Sequence, residues 1–237
     1  TIKLVSGYQS VLNMFLYNRK TAWVDKDGKF NMDPIVDKIF DYSYFLRQNE
    51  LDAGINQFTP AWFGTMQNTT VFTYFLPTWG LNYTLMPNAP DTSGDWAICN
   101  APYPYIHGGT FAGIYSGSKN KEAAWEYLKF FIFNEEHLWD WGTNYGDYVS
   151  YIPVSKKIAQ EVKTGKSVDF MGGQQVYEYF NSEINKVNAD IVTKYDGQIR
   201  ELIIAALDSY VYGHKTKTQA IDSFKKEIAS AFPEIKM

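Results

Sequence analysis

Apolar residues recur at three- to four-residue intervals along most of the chain, a spacing that predicts helices. Val5, Leu12, Phe15 and Leu16 give residues 1–19 such a spacing. Asp33-Pro34 is a sharper start, because Asp accepts from free N–H groups and Pro at the first helical position loses no hydrogen bond. From there Ile35, Ile39, Tyr42 and Leu46 share a face and predict a helix to about residue 49. After Asn120 the pattern sets Ala124, Tyr127, Leu128 and Phe131 inward, with Lys121, Glu122 and Lys129 outward. Further helical stretches follow at 134–141, 153–163 and 174–190, and residues 142–151 break the first from the second. Ile199, Leu202, Ile203, Ala206 and Leu207 carry a helix over 198–212 that Gly213 ends. Ala220, Phe224 and Ile228 mark the last, from about Thr218.

Strand signals are fewer. Val71 to Leu76 is β-rich, ends at Pro77 and reads as a buried strand. Gly94 to Ile98 and Thr110 to Ile114 read as two short strands around a Gly108-Gly109 turn. Residues without Cβ there leave backbone open to a ligand. Trp23 to Phe30 reads as a tight turn, since Asp27-Gly28 supplies the positive φ it needs. Aligned as a calcium loop on Gly28, it would put Trp23 and Pro34 at ligand positions, and neither side chain coordinates. Residues 51–64 read as irregular and 80–95 as a loop. No repeat, heptad or low-complexity tract is visible. So many helices against so few strands suggests an α/β protein short of sheet partners.

At 237 residues the chain suffices for one large domain or two small ones. Its net charge of −4, with no basic patch, argues against a nucleic-acid partner. The longest apolar runs, such as Val71 to Trp79, are too short to span a bilayer. The single cysteine, Cys99, excludes an internal disulfide and a cysteine metal site, and is expected to pack beside Trp96 and Ile98. The chain opens Thr1-Ile2-Lys3-Leu4, so its beginning reads as trimmed and no targeting segment gives its location. Aromatic residues reach 17%, and Tyr (18) outnumbers Phe (16), with 7 Trp. Tyr and Trp suit surfaces that are apolar on one side and polar on the other, as sugar-binding surfaces are.

An ordered set of motifs resembles the C-terminal part of an extracellular solute-binding protein of family 1, the maltose-binding-protein-like type. It comprises Trp23-Val24-Asp25-Lys26-Asp27-Gly28-Lys29, Trp79 after a buried strand, Gly94-Asp95-Trp96 through Pro102, and Ile152-Pro153-Val154. Gly108-Gly109 followed by Ser118-Lys119-Asn120-Lys121-Glu122-Ala123-Ala124-Trp125 is the most specific match, and Gly213 with Ala220 closes the set. Gln67-Asn68-Thr69-Thr70 departs from the family's usual Gly-Lys before the strand. The resemblance implies a helix-rich α/β fold of the periplasmic-binding-protein type II class, incomplete, with most of the N-terminal lobe absent. Residues 1–107 and 158–237 would form the second lobe, and 108–157 would cross into the first.

It also implies capture of a carbohydrate, an oligosaccharide given the aromatic supply, in an interlobe cleft and delivery to the permease of an ABC transporter. The protein would be extracellular or periplasmic, a cell-surface lipoprotein whose membrane association runs only through a lipid anchor outside this chain. No cofactor, metal or catalytic group is expected. Trp79 is the stacking candidate, and His107, Gly108, Gly109 and Thr110 the loop contacts. Tyr145 and Asp147 lie in a glycine-flanked loop bordering the cleft, with Tyr148 beside them. Tyr195 and Asp196 precede the 198–212 helix. The rival readings are a carbohydrate-active enzyme and an adhesive carbohydrate-binding domain. A glycosidase needs two paired carboxylates, and Asp95, Asp140, Asp147 and Asp196 are available but lie in no pairing motif. Hydrolase elbows, zinc-protease motifs and phosphate loops are absent from the sequence.

Overall fold

A computed structural model describes residues 1–68 and 70–237; Thr69, in the departing Gln67–Thr70 segment, lies outside the described residues. In chain order the elements are β1 (Lys3–Val5), α1 (Leu12–Leu16), α2 (Pro34–Gln48), α3 (Pro60–Thr65), β2 (Val71–Thr73) and α4 (Met86–Asn88). They continue with α5 (Lys121–Phe133), α6 (Glu135–Asn144), α7 (Ile152–Glu161), α8 (Lys166–Phe170), α9 (Val176–Glu183), α10 (Asp196–Val211) and α11 (Lys217–Ala231). They fall into two compact units, one of 1–75, 101–106 and 187–237, the other of 76–100 and 107–186.

Unit 1 holds the larger core. β1 and β2 pair in parallel, Lys3 opposite Val71 and Val5 opposite Thr73. Thr73 Oγ1 donates to the Leu4 carbonyl at 2.6 Å. The chain's first residues thus form a strand where spacing predicted helix, because a partner edge at 71–73 outweighs local periodicity. α2 begins as predicted, with Asp33 Oδ1 accepting from the Ile35 N–H at 2.9 Å. Its buried face is Val36, Ile39, Phe40, Ser43 and Leu46. This face packs with Ile199, Ile203 and Leu207 of α10 and Ala220, Phe224 and Ile228 of α11. Thr216 and Gln219 close a reciprocal capping box at the start of α11. Val24 bridges Phe30 across the predicted turn, with Gly28 at φ +76°.

Tyr8, buried beneath α10, donates its hydroxyl to Asp208. Burial first, then that carboxylate, pushes its pKa well above the ordinary tyrosine value. The folded state therefore holds this proton more tightly than the unfolded chain does. Its contribution to stability is complete below about pH 10 and is lost as pH rises through the raised value. Urea titrations between pH 9 and 12 should show a falling midpoint, and Tyr8→Phe should flatten that fall.

Unit 2 gathers α4 to α9, with a smaller core of Leu138, Val149, Val154 and Ile158. Residues 80–95 are helical rather than loop-like: a π-helical turn over Leu81–Leu85 runs into α4, and a 3₁₀ turn follows at Pro90–Thr92. Neither strand expected around Gly108-Gly109 forms. Ile98 gives its N–H to Gln174 Oε1 and its carbonyl accepts from Gln174 Nε2, both at 2.7 Å. A side-chain amide thus occupies the groups a ladder would use. Cys99 is exposed, not buried as expected. α5 sits where predicted, but none of its described side chains is buried, including the Ala124, Tyr127, Leu128 and Phe131 stripe expected inward.

Candidate functional site

In unit 2 the functional candidates converge on the turn that follows Pro77. The Tyr83 N–H donates to the Trp79 carbonyl at 3.0 Å, so the two residues stand one turn apart on a shared face. The Trp79 indole lies against Gly108, where an added Cβ would come within 3.8 Å of Nε1. Gly108 and Gly109 hold φ of +74° and +121°, a backbone path other residues adopt only with strain. His107 is half-buried, and Gly108, Gly109 and Thr110 are exposed.

The loop after α6 is held against this turn by a relay of polar groups. Asn82 Nδ2 donates to the Gly146 carbonyl, and Asn82 Oδ1 accepts from Ser167 Oγ at 2.8 Å. Gly146 sits at φ +68°, and a Cβ there would fall 2.7 Å from Asn82 Oδ1, so only glycine lets the loop approach. Tyr177 donates its hydroxyl to the Asp147 carbonyl. Trp141 Nε1 donates to Asp147 Oδ2 at 3.1 Å, and the Trp141 and Tyr145 rings lie 4.7 Å apart at 32°. Burial, followed by Asp147 and Tyr145, raises the Tyr83 pKa above its ordinary value, which places that phenol within the field of both.

The result is one surface of half-exposed aromatic rings around a carboxylate: Tyr83 is 48% exposed and Tyr145 56%. Such a surface offers flat apolar faces together with hydroxyl and carboxylate partners. Asn82 and Tyr83 escape the sequence reading because 80–95 reads as a loop, and Trp141 because it closes a helical stretch with no motif of its own. The four-residue interval from Trp79 to Tyr83, and from Trp141 to Tyr145, was the available signal.

In unit 1 Asp196 opens α10, and its carboxylate is occupied on both sides. Arg19 pairs with Oδ1, while Oδ2 accepts from the Thr193 N–H at 2.8 Å and from Thr193 Oγ1 at 2.9 Å. The Tyr195 ring packs edge-on against Phe232 at 5.1 Å, with Lys194 Nζ 4.9 Å above it. Tyr195 and Asp196 thus form a braced loop in their own unit.

The family model for bacterial extracellular solute-binding proteins matches residues 7–137. The chain belongs to that family. Two solved structures share the fold of this solute-binding protein. One, an extracellular solute-binding protein of family 1, is 14% identical with a TM-score of 0.67, covering 97% of this chain and 58% of its own. The other is an ABC transporter associated binding protein from B. animalis subsp. lactis Bl-04 in complex with beta-1,6-galactobiose. It is 18% identical with a TM-score of 0.68, covering 98% of this chain and 61% of its own. The chain therefore spans about three fifths of the structures it resembles. No curated protein matches it.

Membership agrees with the helix-rich α/β fold. The family and both neighbours are binding proteins. Among the described residues no cluster of His, Cys, Asp and Glu is arranged to hold a metal, and no helix is long and apolar enough to cross a membrane.

Proposed function

We propose that this solute-binding protein is the substrate-binding component of an ABC transporter, capturing a carbohydrate, an oligosaccharide, and delivering it to membrane permease subunits. The carrying observation is the unit 2 surface on which Trp141, Tyr145 and Tyr83 gather about Asp147, with Trp79 one turn before Tyr83 and against Gly108. Sugar rings present a C–H face that stacks on such rings and hydroxyls that donate to such a carboxylate. The sugar held by the Bl-04 protein supports the ligand class. Trp79 would stack on the sugar, with Tyr145 and Asp147 at its edge and His107, Gly108, Gly109 and Thr110 beside it. Tyr195 and Asp196, on the braced loop before α10, are the remaining candidate ligand contacts.

The same proposal assigns residues 1–107 and 158–237 to a second lobe and 108–157 to a crossing into the first. The exposed aromatic residues of α5, which a further lobe would cover, support it. It also places the protein outside the cell or in the periplasm as a lipoprotein, in keeping with the family's extracellular character. Calorimetry with β-1,6-galactobiose and a panel of neutral oligosaccharides tests the reading. Trp79→Ala should weaken binding by about 1–3 kcal/mol, the scale of one buried aromatic contact. Unchanged affinity removes Trp79 from the site, and a sugar returned cleaved replaces the binding reading with an enzymatic one.

A further inference from the structure

We propose that Asp147 is a charge gate that restricts the ligand to neutral sugars and rejects those bearing a carboxylate, with Trp141 and the Asn82–Ser167 relay as its positioning residues. The inference rests on the sugar-binding reading and adds a specificity to it.

Three observations carry it. First, Asp147 is fixed. Its backbone carbonyl is held by the Tyr177 hydroxyl, its Oδ2 by the Trp141 indole, and the preceding Gly146 by Asn82. A carboxylate held by its neighbours cannot swing away from an incoming charge. Second, no cation offsets it: among the described residues no Lys or Arg forms an ion pair with Asp147. Third, the carboxylate is half-buried beside rings, with Trp141 bonded to it and Tyr145 tilted against Trp141. A neutral sugar hydroxyl can donate to the free lone pairs of such a carboxylate. A ligand carboxylate brought to the same place meets a like charge in a partly desolvated setting, and rejection of this kind gives specificity without tighter binding of the accepted ligand.

The test compares two disaccharides of one size: β-1,6-galactobiose and galacturonosyl-β-1,6-galactose, which differ by a carboxylate at one carbon. The protein should bind the acid at least tenfold more weakly. In Asp147→Asn that ratio should fall below threefold, whatever happens to the absolute affinities, whereas Asp147→Glu should keep it above threefold. Folding is not at stake in the comparison, because the Tyr177 bond reaches the backbone of residue 147 and survives either change. Trp141→Phe, which removes the indole donor, should narrow the ratio partway. For the unaltered protein, raising salt from 0.05 to 0.5 M should shrink the ratio, a response that a purely steric exclusion would not show. Equal binding of the two sugars, or an unchanged ratio in Asp147→Asn, overturns the gate and leaves sugar capture standing. Failure to bind any sugar, neutral or acidic, overturns both.

Discussion

Replacing Asp196 by alanine is expected to destabilise unit 1 by about 3–5 kcal/mol, the cost of stranding one partner of a buried ion pair. The Arg19 side chain is 1% exposed and that of Asp196 13%, so the Arg19 charge left behind cannot be rehydrated in place. Burial pulls the Arg19 pKa down and Asp196 is the main influence raising it again. Two further guanidinium nitrogens, Nε and Nη1, have no hydrogen-bond partner among the described residues, so Asp196 is the counter-charge that makes the site tolerable. The loop would loosen as well, because Thr193 loses both of its bonds to Oδ2. Urea denaturation of Asp196→Ala measures the loss, and a change below about 1 kcal/mol would show that the pair contributes little. Arg19→Met combined with Asp196→Leu should recover most of the loss, since apolar replacement of a buried pair is often neutral. The double variant also separates roles: restored stability with poor sugar binding would assign Asp196 a ligand contact in addition to its structural one.

The elements that pattern predicted best are those whose pattern answers to a single partner. α2, α10 and α11 repeat apolar residues every three or four positions because each buries one stripe in one core. The start signal at Asp33 and the stop signal at Gly213 lie in the sequence itself, whereas the Thr216 cap of α11 emerges only in the structure. β1 was hidden for the opposite reason. Lys3–Val5 is a strand because of residues 71–73, some seventy positions away, and no local window contains that edge. Residues 94–98 carry strand composition but meet the Gln174 amide instead of a ladder.

The candidate site shows the same division. The family resemblance marks Trp79, Gly108, Tyr145 and Asp147 as candidate ligand contacts, and the structure sets them in one unit. What was not legible is the bracing between them: Asn82 and Ser167 are unremarkable in sequence and become legible only when Gly146 is seen without room for a Cβ. Asp196 is the converse. Its position before a helix suggested a ligand contact, and only the structure reveals Arg19, 177 positions earlier, across from it.

Phe224→Ala should destabilise unit 1 by about 3–5 kcal/mol. The ring is 1% exposed. It meets Trp23 edge-on at 5.8 Å and Phe30 edge-on at 6.2 Å, while Trp23 and Phe30 themselves stack at 5.9 Å and 3°. Three rings in mutual contact cannot collapse into the space of one without leaving favourable geometry, so the cavity term stays large. Phe72→Ala, at a ring 69% exposed on β2, should stay within about 0.5 kcal/mol and serves as the control. The effect should also couple to the ion pair. The Arg19 guanidinium lies 4.3 Å above the Trp23 ring, so Trp23 is packed by Phe224 on its edge and by Arg19 on its face. Loss of Phe224 frees Trp23 to shift, which weakens the support under Arg19 and hence under Asp196. Phe224→Ala combined with Asp196→Ala should therefore cost less than the sum of the two, by about 0.5–3 kcal/mol, as expected for residues that share a neighbour. Strict additivity in a double-mutant cycle would mean that the aromatic cluster and the braced loop of Tyr195 are mechanically independent.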